Sequence, residues 1–259
     1  NIGFVARMTR GRPWLRLKAA ASLDGKTALH NGVSQWITGP EARRDGQRWR
    51  ARACALLTGI GTVRDDDPQL NVRDVATTRQ PLRVVVDSKL EMPLTAKLLG
   101  GGPVLVAAAV DDENRAKLLR VAGAEVLVLP NAAGKVELPA LLAELARRGI
   151  NEVHVEAGHK LNGSLLREGL VDELLLYLAP CLIGHDAAGL FNLPALAALS
   201  DRRRLAISDL RRVGDDIRLL ARLQLADEEN KGYGFDCAQP SIGYLISPKA
   251  YEPATDNVL

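Results

Sequence analysis

The chain has 259 residues, 47% of them hydrophobic and 25% charged, and its formal net charge is +3. This length suits one large domain or two small ones and can bury a sizeable core. The small net charge, with arginine pairs scattered among acidic residues, argues against a nucleic-acid-binding surface. No apolar run approaches the roughly 20 residues of a membrane span, so we expect neither nucleic acid nor a membrane as a partner.

Three cysteines, Cys54, Cys181 and Cys237, are widely separated along the chain. No Cys-x-x-Cys or His-x₃-His pattern accompanies them, so we expect no metal site. Lone cysteines are typical of a reducing compartment, and no signal-peptide segment opens the sequence, which together predict a cytoplasmic protein. Because Cys54 and Cys181 lie in apolar runs, we expect both to be inert core thiols.

The first predicted elements follow a basic segment that contains glycine and proline. We interpret this segment, residues 1–13, as a linker from a missing upstream domain. Residues 14–22 alternate as a strand does, and Asp24-Gly25 predicts a turn after it. Residues 34–38 are interpreted as a short extended piece.

A helix is predicted behind Thr38, because Thr38 and Glu41 have the spacing of a capping box. Arg50 is displaced by about 100° from its neighbour Trp49 around that helix, so it can emerge at the rim of the buried stripe. The expected stripe consists of Ala42, Gly46, Trp49 and Ala53.

Beyond residue 80 the predicted elements alternate between strands and helices. Strands are predicted at 82–87, 103–109, 125–129 and 151–156, and helices from Asp111 or Asp112 to Ala122, around 138–145 and over 161–168. This alternation indicates a parallel sheet covered by helices. A strand at 173–180 and a hairpin of 205–210 with 216–225 predict an antiparallel end to the sheet. Residues 227–259 show no clear period and are interpreted as a tail of unknown role.

The segment from Thr58 to Arg73 carries the strongest functional signal, because it follows an apolar run that predicts the end of a buried strand. It combines two glycines, a threonine, three consecutive carboxylates, a proline and an arginine. Loops at strand ends are where folds place ligand chemistry. We therefore expect a ligand with phosphates, and we expect at least one of the carboxylates 65–67 to face it, although a turn also uses Asp.

A second glycine-bearing loop, with Gly158 and Gly163, follows another predicted strand. It is not a P-loop, because Ser164 stands where lysine is required, and Arg64 similarly breaks the dinucleotide-binding pattern that would start at Gly59. The loop nevertheless leads into a helix, whose N-terminus can bind phosphate through backbone N–H groups. A plain turn is the alternative.

Side chains beside this loop leave alternatives open. A carboxylate at the strand terminus, Glu156, is costly to bury unless it is hydrogen-bonded, so it binds a polyol or forms a structural salt bridge. His159 and Lys160 either neutralise a phosphate or are solvated. His154 alternates with valines and is interpreted as a strand-face histidine rather than a ligand.

Several motifs then occur in a recognisable order. They are Lys18–Lys26 (KAAASLDGK), Ser34–Thr38 (SQWIT), Arg50-Ala51, Thr58–Leu70 (TGIGTVRDDDPQL), Val155–Gly158 (VEAG) and Val171–Glu173 (VDE). Over residues 3–225 the chain resembles the reductase domain of the bacterial riboflavin-biosynthesis deaminase–reductase. The resemblance implies an α/β, dihydrofolate-reductase-like fold. This fold has a mixed, mostly parallel sheet flanked by helices and a C-terminal antiparallel hairpin, here spanning a reductase domain at 14–226.

The resemblance also implies an activity. It is the NADPH-dependent reduction of 5-amino-6-(5-phosphoribosylamino)uracil, in which a hydride adds to C1′ of the ring-opened ribosyl group and produces a ribityl chain. We accordingly expect NADPH as cofactor, a phosphorylated small molecule as substrate, a homodimer, and a deaminase domain upstream in the full-length protein.

Site residues follow from the matched motifs. The implied cofactor contacts are Ala20, Trp36, Thr62, Asp66, Ser88 and the pyrophosphate loop Gly158, His159, Lys160, Leu161, Asn162, Gly163 and Ser164. The implied substrate contacts are Ser34, Arg50, Leu70, Arg73 and Glu156. The residue chemistry agrees, because Arg50 and Arg73 can clamp a phosphate and Glu156 can accept from ribose hydroxyls. Lys18 and Asp66 are the catalytic candidates for proton delivery.

Two other functions remain open at this point. Another NADPH reductase on the same scaffold would act on a pterin or folate, although two arginines favour a phosphorylated substrate and aromatic residues make up only 4% of the chain. A non-catalytic nucleotide-binding domain would keep the core and lose the cofactor loops, which this chain retains.

Overall fold

The computed structural model describes residues 1–224, so the expected tail at 227–259 lies outside the described residues. Six α-helices, two short 3-10 helices (Lys97–Leu99 and Leu199–Asp201) and eleven strands make up this part. The helices are α1 (Ile2–Arg10), α2 (Pro40–Arg52), α3 (Ile60–Asp66), α4 (Glu113–Val121), α5 (Leu138–Arg147) and α6 (His159–Arg167). The strands are β1 (Trp14–Ser22), β2 (Lys26–Ala28), β3 (Ala55–Gly59), β4 (Leu82–Val86), β5 (Val104–Ala108), β6 (Ala124–Val128), β7 (Glu152–Val155), β8 (Glu173–Ala179), β9 (Ala188–Gly189), β10 (Leu205–Val213) and β11 (Asp216–Leu223).

Nine strands form one sheet in the order β10-β11-β8-β1-β7-β3-β4-β5-β6. The strands from β8 to β6 pair in parallel, whereas β11 is antiparallel to both β8 and β10. The expected mixed, mostly parallel sheet with an antiparallel C-terminal hairpin is confirmed. Because β1, β7 and β3 are adjacent and parallel, their carboxyl ends lie side by side.

Alternation along the central strands separates an apolar face from a polar one. Leu15 and Leu17 of β1 pack with Val153 and Val155 of β7 in the main core, which also holds the apolar faces of α5 and α6. The intervening residues of the same strands point to the opposite face, which α2 covers. They are Arg16, Lys18 and Ala20 of β1 and Glu152 and His154 of β7, with Glu156 directly after β7. This polar layer under α2 positions the candidate site.

Most of the segment 1–13, which we interpret as a linker, is helical. Residues 2–10 form α1, which is capped by the Asn1 side chain and packs against the body. A Cβ on Gly3 would lie 2.7 Å from the Asn151 carbonyl oxygen, and Arg10 pairs with Asp172 at 2.8 Å. The basic character of the segment therefore reflects ion pairs with the domain.

Three local expectations also differ from the structure. Residues 34–38 form turns and bends rather than an extended piece. The capping box is absent, since α2 begins at Pro40 behind Gly39, whose N–H donates to Asp216 at 2.7 Å. Cys181 is exposed and so is not a core thiol.

Candidate active site

An ion pair at the carboxyl end of β7 is the centre of the polar layer. Arg50 Nε lies 2.5 Å from Glu156 Oε1, and Arg50 Nη2 lies 2.9 Å from Oε2. Arg50 Nη1 donates to the Asn71 carbonyl at 3.0 Å. Because a guanidinium carries five N–H groups, two remain for a ligand. Lys18 Nζ adds a second cation, 3.9 Å from Glu156 Oε2.

The charges of Lys18, Arg50 and Glu156, which form a triad, shift the pKa values of its members. Burial favours the neutral form of Glu156, but Arg50 and Lys18 outweigh it and hold the pKa of Glu156 well below its usual value. Burial lowers the pKa of Lys18, and Glu156 opposes that shift only in part. The side chains of Lys18, Arg50 and Glu156 are 23%, 13% and 15% exposed, so a ligand can reach a site whose charges are poorly screened.

The layer behind the triad was not predicted from sequence. Trp49 of α2 is surrounded by cations, with the guanidinium of Arg16 4.5 Å from its ring centre and those of Arg52 and Arg218 at 5.5 and 5.7 Å. Arg16 also pairs with Glu173 at 2.5 Å. These contacts fix the rotation of α2 about its axis, and with it the position of Arg50, which lies about 100° from Trp49 around the helix.

A second buried polar cluster, formed by Asp45, Tyr177 and Arg218, holds the same helix against the sheet. The Tyr177 hydroxyl donates to Asp45 of α2 at 2.6 Å, and Arg218 donates to the same carboxylate at 2.9 Å. The Tyr177 ring centre lies 5.9 Å from Lys18 Nζ. Strands β8 and β11, which lie on the same side of β1, thus also hold α2 against the sheet.

The two predicted phosphate-clamping arginines meet at Asn71. Its carbonyl accepts from Arg50, and its side-chain oxygen lies 3.4 Å from Nη1 of Arg73. The Arg73 side chain is 47% exposed, and its main-chain N–H donates to Gln47 of α2 at 3.1 Å. Arg73 is therefore the more available cation, whereas Arg50 is largely committed to Glu156.

The other predicted substrate contacts differ in accessibility. Leu70 is 2% exposed and packs with Ala53 and Leu56, so this residue belongs to the core. Its φ of +46° turns the chain toward Arg73. Ser34 lies half-buried in the turn before α2.

The pyrophosphate loop 158–164 is largely helix, because α6 begins at His159 with Gly158 as its N-cap. No side chain caps it, which leaves the first N–H groups, at His159, Lys160 and Leu161, available to an anion. The Asn162 N–H already donates to the Gly158 carbonyl at 3.1 Å.

Gly163 and Ser164 are engaged within the protein. A Cβ on Gly163 would lie 2.2 Å from the Asn192 carbonyl oxygen, so this glycine is required by chain packing. The Ser164 hydroxyl donates to the Lys160 carbonyl and accepts from Arg167. The P-loop-like spacing of the two glycines thus has a structural cause at Gly163.

The segment after β3 is a short helix, α3, rather than the expected loop. Its N-cap Gly59 packs on α6, since a Cβ there would lie 3.3 Å from Leu161 Cδ2. Gly61 and Gly158 have no positive φ, and a Cβ on either would meet no protein atom within 4 Å. The protein itself supplies no reason for glycine at these two positions.

Three carboxylates end α3 and differ in role. Asp67 adopts φ +39°, accepts from the Lys97 N–H at 2.9 Å and lies 3.3 Å from Lys97 Nζ, so it holds the turn. Asp66 is exposed, and partial burial of its carboxyl together with Asp65 raises its pKa. Thr62 lies one turn earlier in α3, on the first turn of the helix.

Two of the remaining predicted cofactor residues, Ala20 and Ser88, lie at the carboxyl ends of strands, whereas Trp36 lies in the segment before α2. Ala20 is near the carboxyl end of β1, and Trp36 is 65% exposed with the Arg43 guanidinium 4.6 Å from its ring. Ser88 follows β4, and its hydroxyl accepts from the Val136 N–H at 3.2 Å. The hydroxyl proton of Ser88 remains free to donate.

Other features of the described residues do not suggest a different functional site. Cavities of about 370 and 240 Å³ lie beside Ala51 and Thr77 and beside His30 and Gly184, and neither includes the Arg50–Glu156 pair. Residues 1–224 contain no cluster of His, Cys, Asp and Glu able to hold a metal and no helix with the length and apolarity to cross a bilayer.

Comparison with known proteins identifies the family. The model of the RibD C-terminal domain matches residues 13–219. "Riboflavin biosynthesis protein RibD" of Escherichia coli K12 is 41% identical over 231 residues, which cover 85% of this chain and 62% of that protein. The chain therefore spans about three fifths of the length of this relative.

Two solved structures are similar. RibD of Acinetobacter baumannii is 38% identical with a TM-score of 0.76, covering 86% of this chain and 61% of that one. A Thermotoga maritima protein, described as a diaminohydroxyphosphoribosylaminopyrimidine deaminase/5-amino-6-(5-phosphoribosylamino)uracil reductase, is 25% identical with a TM-score of 0.71, covering 86% and 60%. The expected fold is confirmed, and the chain belongs to the RibD C-terminal domain family.

Proposed function

We propose that this chain is a 5-amino-6-(5-phosphoribosylamino)uracil reductase that uses NADPH in riboflavin biosynthesis. The observation that carries the proposal is the position of the Arg50–Glu156 pair directly before the uncapped start of α6. A charged group suited to a sugar phosphate and a backbone group suited to a pyrophosphate thus adjoin on one edge of the sheet. Membership in the RibD C-terminal domain family supports it.

On the substrate side, recognition is by charged side chains. Arg73 and the two free N–H groups of Arg50 hold the phosphate, and Glu156 accepts from ribose hydroxyls. Ser34 completes the contacts, and Leu70 supports them from the core beneath Arg73. Glu156 is suited to accept because its lowered pKa keeps it ionised at neutral pH.

On the cofactor side, the residues fit NADPH because a cradle is left open. Gly61 and Gly158 leave space that a Cβ would fill, next to the N–H groups of His159 to Leu161. Thr62, Asp66 and Ser88 extend this surface along the carboxyl ends of β3 and β4, and Ala20 and Trp36 flank its other end. Asn162, Gly163 and Ser164 act through the fold of α6.

The chemistry requires a hydride at C1′ of the ring-opened sugar and a proton at nitrogen, and bound NADPH would supply the hydride. The chain holds the substrate in orientation for that transfer. Lys18 is the better placed of the two proton-donor candidates, since it faces Glu156 and burial lowers its pKa toward neutrality. Asp66 lies on the cofactor side.

A homodimer, a cytoplasmic location and an upstream deaminase domain belong to the same proposal. The partial coverage of the relatives agrees with an upstream domain, because this chain matches about 62% of the Escherichia coli protein. A pterin or folate substrate is disfavoured by the pairing of Arg50 with Glu156, which makes the site charged where a flat ring would need an apolar slot.

The test is turnover with labelled cofactor. NADPH carrying deuterium at the nicotinamide C4 is incubated with 5-amino-6-(5-phosphoribosylamino)uracil, and the product is examined by mass spectrometry and NMR. We expect NADPH oxidation with one deuterium at C1′. A rise in melting temperature with NADPH but no oxidation of it would favour a non-catalytic nucleotide-binding domain, and oxidation with dihydrofolate instead would favour the folate alternative.

A further inference from the structure

A buried histidine lies directly beneath the Arg50–Glu156 pair. His154 on β7 is 0% exposed, and neither ring nitrogen has a hydrogen-bond partner within the usual limits. Glu156 Oε1 lies 3.4 Å from Nε2. A buried polar group without a partner costs free energy, so a histidine here needs a reason.

The charges around His154 determine its protonation state. His154 is paired with Arg16 on the neighbouring strand β1. Arg50 contacts Glu156 from the other side. Burial lowers the pKa of His154, Glu156 opposes that shift, and the two arginines reinforce it. The ring is therefore neutral at pH 7 and carries one proton, on one nitrogen.

We propose that His154 is a positioning residue that donates its Nε2–H to Glu156 and fixes the carboxylate for substrate. This inference rests on the proposed function, in which Glu156 accepts from ribose hydroxyls. Arg50 reaches Glu156 from α2, whereas His154 reaches it from the strand, so donors on two separate elements restrain the same carboxylate. Such preorganisation lowers the cost of binding the sugar.

The geometry selects the tautomer. Of the two ring nitrogens, Nε2 is the one that lies 3.4 Å from a carboxylate oxygen, Glu156 Oε1, and Nδ1 has no hydrogen-bond partner in the described residues. The proton is therefore placed on Nε2, where it stabilises the carboxylate, and Nδ1 keeps its lone pair. A leucine of similar volume would fill the space without donating.

Kinetics with two replacements separate positioning from packing. We expect His154→Leu to raise the KM for the phosphorylated substrate about tenfold, because a hydrogen bond to a charged group is lost. We expect His154→Gln, whose amide can reach the same place, to restore most of it. The KM for NADPH serves as the internal control and should be unchanged in both variants. Equal losses in both, or an unchanged substrate KM in His154→Leu, would overturn the proposal.

If His154→Leu does not fold, His154→Asn takes its place, since its shorter amide does not reach Glu156. NMR of the ¹⁵N-histidine-labelled wild-type protein gives a readout that does not depend on turnover. We expect a slowly exchanging Nε2–H proton for His154 that shifts in Glu156→Gln. An Nδ1–H tautomer would overturn the positioning role even if the reductase activity is established, whereas absent turnover with an Nε2–H tautomer would count against the proposed function alone.

Discussion

The two sides of the proposed site offer a ligand different parts of the chain. On the substrate side, Arg50, Glu156 and Lys18 form ion pairs whose side chains are held by α2 and the sheet. On the cofactor side, the start of α6 offers main-chain N–H groups and two glycines that leave open space. Charged side chains can be identified directly from the sequence. The main-chain N–H groups that are free to bind an anion can be identified only once the first residue of the helix is known.

The largest expected effect is on the substrate side. Arg50→Ala leaves Glu156 without its main partner, so we expect the substrate KM to rise at least about 30-fold, corresponding to the lower end of the cost of breaking such a pair. NADPH affinity, measured by fluorescence titration, should change little. The matched control is Arg44→Ala, which removes an exposed arginine of the same helix and should leave both constants unchanged. A substrate KM unaffected by Arg50→Ala would contradict the assignment.

The cofactor side contains a glycine with a purely structural role. We expect Gly163→Ala to lower the free energy of unfolding by about 1–3 kcal/mol, because the new Cβ would collide with the Asn192 carbonyl. Urea denaturation measures this. Gly46→Ala in α2 is the control, since its Cβ would meet nothing within 4 Å and the helix should be unaffected or stabilised. Equal stability of the two variants would show that Gly163 is not needed for packing.

Gly61 should behave in the opposite way. We expect Gly61→Ala to fold as well as the wild type or slightly better, yet to bind NADPH about tenfold more weakly, because the methyl group would occupy space reserved for the cofactor. The substrate-side residues remain unaltered. Unchanged NADPH affinity in a stable Gly61→Ala protein would mean that the cofactor does not approach α3.

The carboxylates that end α3 test how far the cofactor surface extends. We expect Asp66→Asn to weaken NADPH binding a few-fold, corresponding to one hydrogen bond of about 1 kcal/mol. Asp67→Asn should instead lower stability, since Asp67 holds Lys97. Titration with NADPH and thermal melting separate the two outcomes. Retained affinity in Asp66→Asn would assign that residue to the turn.

The smallest expected effect is a pH dependence of stability on the substrate side. The pKa of Glu156 is lower in the folded state than its ordinary value of 4.5, so its stabilising contribution is complete above that pH and is lost as the pH falls below it. We expect Glu156→Gln to be less stable than the wild type at pH 7, with the difference narrowing toward pH 3.5. A difference that stays constant over this range would contradict the lowered pKa.

The sequence predicted the sheet, because strand alternation is a local property, whereas the substrate-side residues stay a prediction. It could not predict that Arg50 and Glu156 are partners, since 106 residues separate them. It also missed the role of Trp49, which was expected only as part of a buried stripe and in fact holds three arginines. A tryptophan next to a predicted ligand-binding arginine was the available signal.

The cofactor side was predicted from motifs and its details were missed. The sequence predicted that this helix begins at residue 161, whereas it begins at His159. Pyrophosphate contacts were therefore expected over all of 158–164, although only the N–H groups of 159–161 are available. The glycines could not be sorted by role, because the contact between Gly163 and Asn192 forms only in the folded chain. Likewise, the amphipathic helix α1 was interpreted as a linker because of the Gly and Pro residues that follow it.

A crystal structure of the protein with NADPH and the phosphorylated aminouracil tests the central claim most directly. The account predicts that the pyrophosphate lies on the N–H groups of residues 159–161, that the sugar hydroxyls contact Glu156, and that the sugar phosphate contacts Arg50 and Arg73. The nicotinamide would then face the sugar between these two regions. Ligands bound on separate faces, or a substrate that leaves the Arg50–Glu156 pair untouched, would contradict it.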